Sequence, residues 1–350
     1  MQFDKILESF GITGHNVTSY GSGLINHTWV VENKKGEKIF ILQRINELVF
    51  LHPADIAFNI RLIAKYLRYQ TIPGSDIPGT QPIISIPLLT KYGNDLLQTN
   101  EGYFRVFSFL KNAHTIENVQ TPHQAFEAAA QFGKFTKLLS GFDATQLKIT
   151  LPDFHNLSLR FKQFEEALQT GNNERVERSK EIIDLILKHK DIVDEFEKIK
   201  SNPDFKTRVT HHDTKISNVL FDENDNGVWV IDLDTVMPGY FISDVGDMFR
   251  SYLSPVNEEE KDFSKIVIRK DYYQAIISGY LQEMDALTTT EQKYFLYAGK
   301  FMIYMQALRF ITDHLNNDVY YGAKYEGHNF VRAGNQITLL QKLIEFEKLL

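Results

Sequence analysis

The chain has 350 residues, of which 43% are hydrophobic and 24% charged, and its 26 Phe and 16 Tyr exclude disordered, collagen-like and low-complexity classes while leaving room for two lobes. It has no cysteine, so disulfides, thiolate zinc sites, iron–sulfur clusters and cysteine nucleophiles are excluded, and its chemistry must run on oxygen and nitrogen. With 38 Lys and Arg against 45 Asp and Glu the formal charge is −7, which argues against a general binder of nucleic acid or anionic membrane. Met1-Gln2-Phe3-Asp4-Lys5 opens neither an export signal nor an Arg-rich amphipathic leader, and no apolar run reaches the roughly 18 residues that span a bilayer. The expectation is a cytoplasmic protein, monomeric by default.

In chain order, residues 20–27 are too glycine-rich for a strand interior and read as a loop between strands. Residues 28–33 and 38–43, joined by a Gly36-bearing turn, predict a hairpin. From Pro53 to Tyr69 the apolar positions Ile56, Ile60, Ile63 and Leu67 fall on one helical face, behind a proline in the first turn. Residues 71–82 make a Pro- and Gly-rich connection, and 83–89 and 103–110 are two further strand candidates. After about residue 111 the pattern turns helical: Thr121-Pro122 starts a helix that stops near Gly141, Leu157–Leu168 forms the next, Ile182–Ile199 a third, and Tyr272–Leu281 a fourth. Residues 291–315 are long and largely apolar and predict a core helix. The expected fold is α+β, with a small β-rich lobe at 1–110 and a larger, mainly helical lobe at 111–350.

One non-helical island, residues 207–240, interrupts the helices. It carries His211-His212-Asp213-Thr214-Lys215-Ile216-Ser217-Asn218, then two β runs joined by an acidic turn, ending in Asp232-Leu233-Asp234. A hairpin there puts Asp213 and Asn218 on its entry and Asp232 at its exit, facing one cleft. Phosphoryl transfer assisted by magnesium uses this set: an aspartate to orient and deprotonate the attacking hydroxyl, and an amide oxygen plus a carboxylate to hold the metal on the nucleotide phosphates. Asp-Leu-Asp also resembles the D-x-D metal motif of glycosyltransferases, a reading that leaves 211–218 unexplained.

The order of these features resembles the aminoglycoside phosphotransferase and choline kinase superfamily, which has the bilobal protein-kinase-like fold. More narrowly, 40–46 (Phe-Ile-Leu-Gln-Arg-Ile-Asn), 212–218, 230–239 and 307–315 are similar to the bacterial N-acetylhexosamine 1-kinases. The resemblance implies ATP-dependent phosphorylation of the anomeric hydroxyl of N-acetylglucosamine or N-acetylgalactosamine. It implies Asp213 as base, with Mg2+ held by Asn218 and Asp232. Asp244 is expected to brace the catalytic loop.

Nucleotide handling is expected from Gly21 and Gly23, whose backbone amides approach phosphate, and from the hinge Ser108, Phe109 and Leu110. Only one of Gln43 and Arg44 faces the cleft, and Arg44 is the favoured phosphate cation. The helix at 53–69 has no glutamate to pair with a strand cation, and Glu47 is the substitute considered. Sugar-contact candidates are His27, Asp234, Asp247, Arg250, Arg309, Asp313 and Tyr320, with Tyr304 and Tyr321 as further wall residues. Asp234 stands equally open to a supporting or structural role, and His211 and His212 read as scaffolding. Competing readings are a kinase of choline, homoserine or an aminoglycoside, and a pseudokinase binding module, which the intact Asp213, Asn218 and Asp232 argue against.

Overall fold

The computed structural model describes residues 2–21, 25–70 and 83–350. The N-terminal lobe runs α1 (Phe3–Ser9), β1 (Asn16–Ser19), β2 (His27–Glu32), β3 (Lys38–Arg44), α2 (Pro53–Gln70), β4 (Leu97–Thr99) and β5 (Gly102–Ser108). Its strands form an antiparallel sheet in the order β1-β2-β3-β5-β4. Because side chains alternate along a strand, the two faces separate cleanly. Val31, Leu42, Phe104 and Val106 are buried on one face against Ile6, Leu7 and Phe10, each contributing roughly 1.5–3 kcal/mol of burial. The other face carries Thr28, Gln43 and Arg105 in register, then Val30, Ile41 and Phe107, and looks toward the second lobe.

Helix α2 buries Ile56, Ile60 and Ile63 on the predicted stripe. Buried Asn59 on the same helix donates to the carbonyls of Lys148 (2.8 Å) and Val236 (3.0 Å), while its side-chain oxygen accepts the Lys148 N–H at 2.8 Å. The helix is thereby fastened to the second lobe by a polar clamp. Residues 83–89, expected as a strand, form none: Ile84 makes a single parallel bridge to Val230, and Leu88 N–H reaches Val106 O at 2.7 Å. Pro87 has no N–H to continue a ladder. The expected connection at 71–82 lies outside the described residues.

The larger lobe begins with β6 (His114–Thr115) and α3 (Pro122–Leu138), whose N-cap Thr121 accepts the Gln124 N–H at 3.2 Å. It continues through α4 (Leu157–Thr170), α5 (Asn173–Arg178), α6 (Lys180–Lys188), α7 (Asp191–Ser201), β7 (Arg208–Thr210), β8 (Val219–Phe221), β9 (Gly227–Val230) and β10 (Met237–Gly239). Four helices close it: α8 (Phe241–Tyr252), α9 (Lys270–Glu283), α10 (Phe295–Leu315) and α11 (His328–Glu347). The single helix expected at 182–199 is two. His189 and Lys190 donate their backbone N–H groups to the carbonyls of Ile186 and Leu187, three residues back, and the helix restarts with Asp191 in its first turn, where a carboxylate suits the dipole. Helix α10 is buried on nearly every side between α8, α4 and α11 and forms the axis of the lobe. Helices α3 and α9 cross so closely that a Cβ on Gly133 would sit 2.7 Å from the Tyr280 carbonyl oxygen.

Candidate active site

The loop that carries Asp213 leaves β7 and is held by α8. His211 and His212 donate their backbone N–H groups to Asp244 at 3.0 and 2.7 Å, and Thr214 donates its N–H to Asp247 Oδ2 at 2.9 Å. The Thr214 hydroxyl reaches the Asp244 carbonyl, and Tyr252 OH donates to the Thr214 carbonyl at 2.5 Å. Burial raises the Asp244 carboxyl to about 7 against the pull of the two N–H donors. His212 takes the left-handed conformation (φ 66°), which turns the chain so that Asp213 emerges into the cleft. Both histidines are buried scaffolding, as expected. Burial holds His211 below its ordinary pKa and His212 at about 4, so both are neutral at pH 7. His211 Nδ1 accepts the Asp213 N–H at 3.3 Å, which leaves Nε2 protonated toward the Ile231 carbonyl at 3.1 Å.

Asp213 is bracketed. Asn218 donates from Nδ2 to its carbonyl (2.9 Å) and to Oδ2 (3.1 Å), and Lys215 Nζ lies 3.0 Å from Oδ1. Burial pushes this carboxyl up, and Lys215 and His211 outweigh it and leave it below the ordinary aspartate range. It is an ionised acceptor aimed by its neighbours.

Asn218 and Asp232 converge because the Ile231 N–H bonds the Asn218 carbonyl at 2.9 Å across the β8–β9 hairpin. Asp232 has left-handed backbone (φ 58°), and its carboxylate makes no hydrogen bond or ion pair among the described residues. It is open to the cleft, yet enough protein surrounds it that burial, with Asp234 and Asp213 adding like charge, raises its pKa to about 7. Asn218, with its NH2 spent on Asp213, keeps its side-chain oxygen free. One amide oxygen and one under-compensated carboxylate fit magnesium, which takes one or two protein ligands and fills its octahedron with phosphate and water. Among the described residues no group of three or more His, Asp or Glu is placed to hold a metal ion.

Asp234 is committed elsewhere. Buried to 2% exposure, it pairs with equally buried Arg105 of β5 through Nη1–Oδ1 (2.5 Å) and Nη2–Oδ2 (2.9 Å), and Asn26 Nδ2 donates to Oδ2 at 2.7 Å. Both oxygens are occupied, which corrects its assignment to sugar contact. Arg105 also donates from Nε to Gln43 Oε1 at 3.0 Å, and Gln43 donates to Thr28 Oγ1 at 3.2 Å. Gln43 is therefore the cleft-facing residue of its pair. Arg44, expected to meet phosphate, shares the opposite face with Leu42 and Phe104 and lies beside Glu47 over Gly102. His27 is corrected on the same ground: it pairs across from Arg44 and its ring stacks near Trp29 at 6.1 Å, on the outer face. Gly21 has φ 75°, a conformation that favours glycine, and Gly23 lies outside the described residues. At the hinge the Phe109 N–H is engaged by the Ile39 carbonyl at 2.9 Å, Ser108 pairs with Phe40, and Leu110 follows as β5 ends. No residue was expected at Arg105, whose partner is 129 positions away.

On the acceptor side, Asp247 accepts Arg250 Nε and Nη2 on Oδ1 (3.0 and 2.9 Å), and Arg250 reaches Glu258 at 2.8 Å, which also pairs with Arg332. The Arg332 guanidinium lies 5.3 Å from the Tyr321 ring, and Arg309 lies 5.4, 6.0 and 5.6 Å from the rings of Tyr321, Tyr320 and Phe154. Phe154 stacks on His155 at 4.4 Å, and His155 lies 5.1 Å from His212, next to Asp213. These contacts form a chain of rings and guanidiniums running from the catalytic loop through Arg309 to Arg332. Asp313, a sugar-contact candidate four residues beyond Arg309, is engaged by backbone instead. It is buried, accepts the N–H groups of Tyr320 (2.7 Å) and Tyr321 (2.9 Å), and so fixes the turn that presents those tyrosines. Tyr304, whose hydroxyl bonds the Ile186 carbonyl at 2.8 Å, is core. His155 and Arg160 were not singled out from sequence. A lone loop histidine and a helical arginine carry no spacing signal, yet His155 Nδ1 and Arg160 Nε are buried with no hydrogen-bond partner among the described residues.

The pattern of the phosphotransferase enzyme family (APH) matches residues 16–267. The solved structures with the same fold include a microcompartment-associated aminopropanol kinase (14% identity, TM-score 0.66, covering 99% of this chain and 98% of that one). They also include a spectinomycin phosphotransferase in complex with ADP and spectinomycin (12% identity, TM-score 0.62, covering 98% of each chain). A choline kinase from Cryptosporidium parvum Iowa II shares 14% identity at TM-score 0.56, over 96% of this chain and 91% of its own. The chain belongs to the APH phosphotransferase family. Among the described residues no helix is long and apolar enough to cross a membrane.

Proposed function

We propose that this protein is an ATP-dependent kinase that phosphorylates the anomeric hydroxyl of an N-acetylhexosamine to give the sugar 1-phosphate. Asp213 orients that hydroxyl and takes its proton late in a loose transition state, where positioning does most of the work. Asn218 and Asp232 would hold magnesium, which supplies positive charge to the nucleotide phosphates. Gly21 and Gly23 would cover those phosphates, and Val30, Ile41 and Phe107 with the Ser108–Leu110 backbone would line the adenine side. Arg250 and Asp247 hold the loop that carries Asp213, and Arg309 and Tyr320 are the proposed sugar contacts.

The observation that favours a sugar over a cationic alcohol is the charge of the acceptor side. Arg160 and Arg309 make no ion pair among the described residues, while Asp247, Glu258 and Asp313 are all spent on internal partners. An ammonium group of choline, an amino alcohol or an aminoglycoside would meet guanidiniums where Asp247, Glu258 and Asp313 are already engaged. A neutral acceptor with hydroxyl and acetamido oxygens would find donors and an aromatic wall. The preference for O1 rests on the four segments quoted above.

The test is ADP release over N-acetylglucosamine, N-acetylgalactosamine, glucose, choline, homoserine and an aminoglycoside. The expected result is turnover confined to the N-acetylhexosamines, with kcat/KM at least about 100-fold above any cationic acceptor. Comparable turnover of choline or an aminoglycoside would overturn the reading.

A further inference from the structure

We propose that Asp234 is the positioning residue of the nucleotide side of the cleft: one buried carboxylate that sets the N-terminal sheet, the end of the glycine loop and Asp232 relative to one another. The inference rests on the reading of Asp232 as magnesium ligand.

The junction has three arms. Toward the sheet, Asp234 takes two bonds from Arg105, which is steadied in turn by Gln43 and Thr28 and lies 5.1 Å from the Phe107 ring. Strand alternation places Arg105 on the cleft face of β5, in register with Gln43 and Thr28. Toward the glycine loop, Asp234 takes Asn26 Nδ2, and Asn26 Oδ1 accepts the Asn46 N–H at 3.0 Å, so the residue just beyond that loop is pinned from both lobes. Toward the proposed metal position, Asp232 lies two residues away in left-handed backbone, with no side-chain bond of its own among the described residues. Its direction is therefore set by backbone held at one end by the Ile231–Asn218 bond and at the other by the Asp234 pair.

Kinases of related fold commonly place a strand lysine on phosphate and tether it to a helix carboxylate. Here the cleft-face strand position is Gln43, and α2 is held by Asn59 instead. The Arg105–Asp234 pair fills the gap from different elements: the cation comes from β5 and the acid from the metal-binding segment itself. Breaking it frees both jaws of the nucleotide site together, while the acceptor chain from His155 to Arg332 stays in place.

The experiment is calorimetric titration of ADP with and without Mg2+, which needs no acceptor and is therefore independent of which alcohol is phosphorylated. Asp234→Asn keeps shape and removes the charge. It is expected to cut the affinity gain that magnesium gives to ADP by about tenfold or more, and to raise KM for magnesium–ATP while the acceptor KM stays within about twofold. Arg105→Lys keeps the charge, gives up the two-pronged pairing and the Gln43 bond, and is expected to show a smaller loss of the same kind, so the inference remains testable if Asp234→Asn does not fold. A merely structural pair would weaken ADP equally with and without magnesium, or leave both unchanged in the folded variant, and either result overturns the proposal. Asp232→Asn in the same titration separates the two readings. If it leaves the magnesium effect intact, the ligand assignment fails; if it abolishes the effect and Asp234→Asn does not reduce it, only the junction fails.

Discussion

At the scale of single residues, Asp213, the proposed base, is a carboxylate whose charge is maintained by its neighbours. Lys215 is raised above its ordinary pKa mainly by Asp213, and Asp213 is lowered in return against its own burial. Removing the cation as Lys215→Met is expected to raise the Asp213 pKa. With Asp213 as the proposed base, its ionised form is the active one, so the acid limb of the pH–rate profile should move to higher pH. An unchanged limb would show that Asp213 is not the titrating group. Asp213→Asn should cost about 10²–10⁴ in kcat with magnesium–ADP affinity retained, measured by single turnover and calorimetry. The Asp213, Asn218 and Asp232 set was legible in sequence because its spacing is local, within one loop and one hairpin. The choice between Gln43 and Arg44 was not legible, since strand parity says they oppose each other and only the contact of Leu42 and Phe104 with α1 says which is outward. Arg105 was invisible for a related reason: its meaning comes from Asp234 across the lobes.

At the scale of elements, α2 is fastened to the second lobe by the hydrogen bonds of Asn59. Asn59→Leu is isosteric enough to fold, but leaves the Lys148 N–H and the Lys148 and Val236 carbonyls without their partner in a buried site. Unsatisfied groups cost roughly 1–3 kcal/mol each, so the expected outcome is a lower Tm together with a raised KM for magnesium–ATP; a lower Tm alone would mean that α2 does not help to set the cleft. The helices read from sequence, α2, α3, α4, α9 and α10, have apolar stripes that announce them. Helices α8 and α11 escaped because their buried faces carry polar residues in the period: Ser243, Asp244 and Asp247 on one, Asn329, Asn335 and Gln336 on the other. Those residues interrupt the hydrophobic pattern for a stated purpose, since Asp244 and Asp247 hold the catalytic loop and Asn329 Nδ2 donates to Asp313 (3.1 Å) and Asp318 (2.9 Å) near the tyrosine turn.

At the scale of the whole molecule, an acidic chain of net charge −7 keeps its useful positive charge inside. Arg105 is spent between the lobes, while Arg160 and Arg309 make no ion pair among the described residues. Net charge alone said nothing of this distribution, and the α+β architecture, legible from the shift of periodicity near residue 110, said only where a cleft would be. The central claim is that the cleft delivers phosphate to the anomeric oxygen of an N-acetylhexosamine. Phosphorus and proton NMR of the product made from ATP and N-acetylglucosamine or N-acetylgalactosamine tests it most directly. The account predicts a single phosphorus signal coupled to the anomeric proton H1; a signal coupled instead to the H6 protons, or no phosphorylated sugar from an enzyme that turns over an amino alcohol, would contradict it.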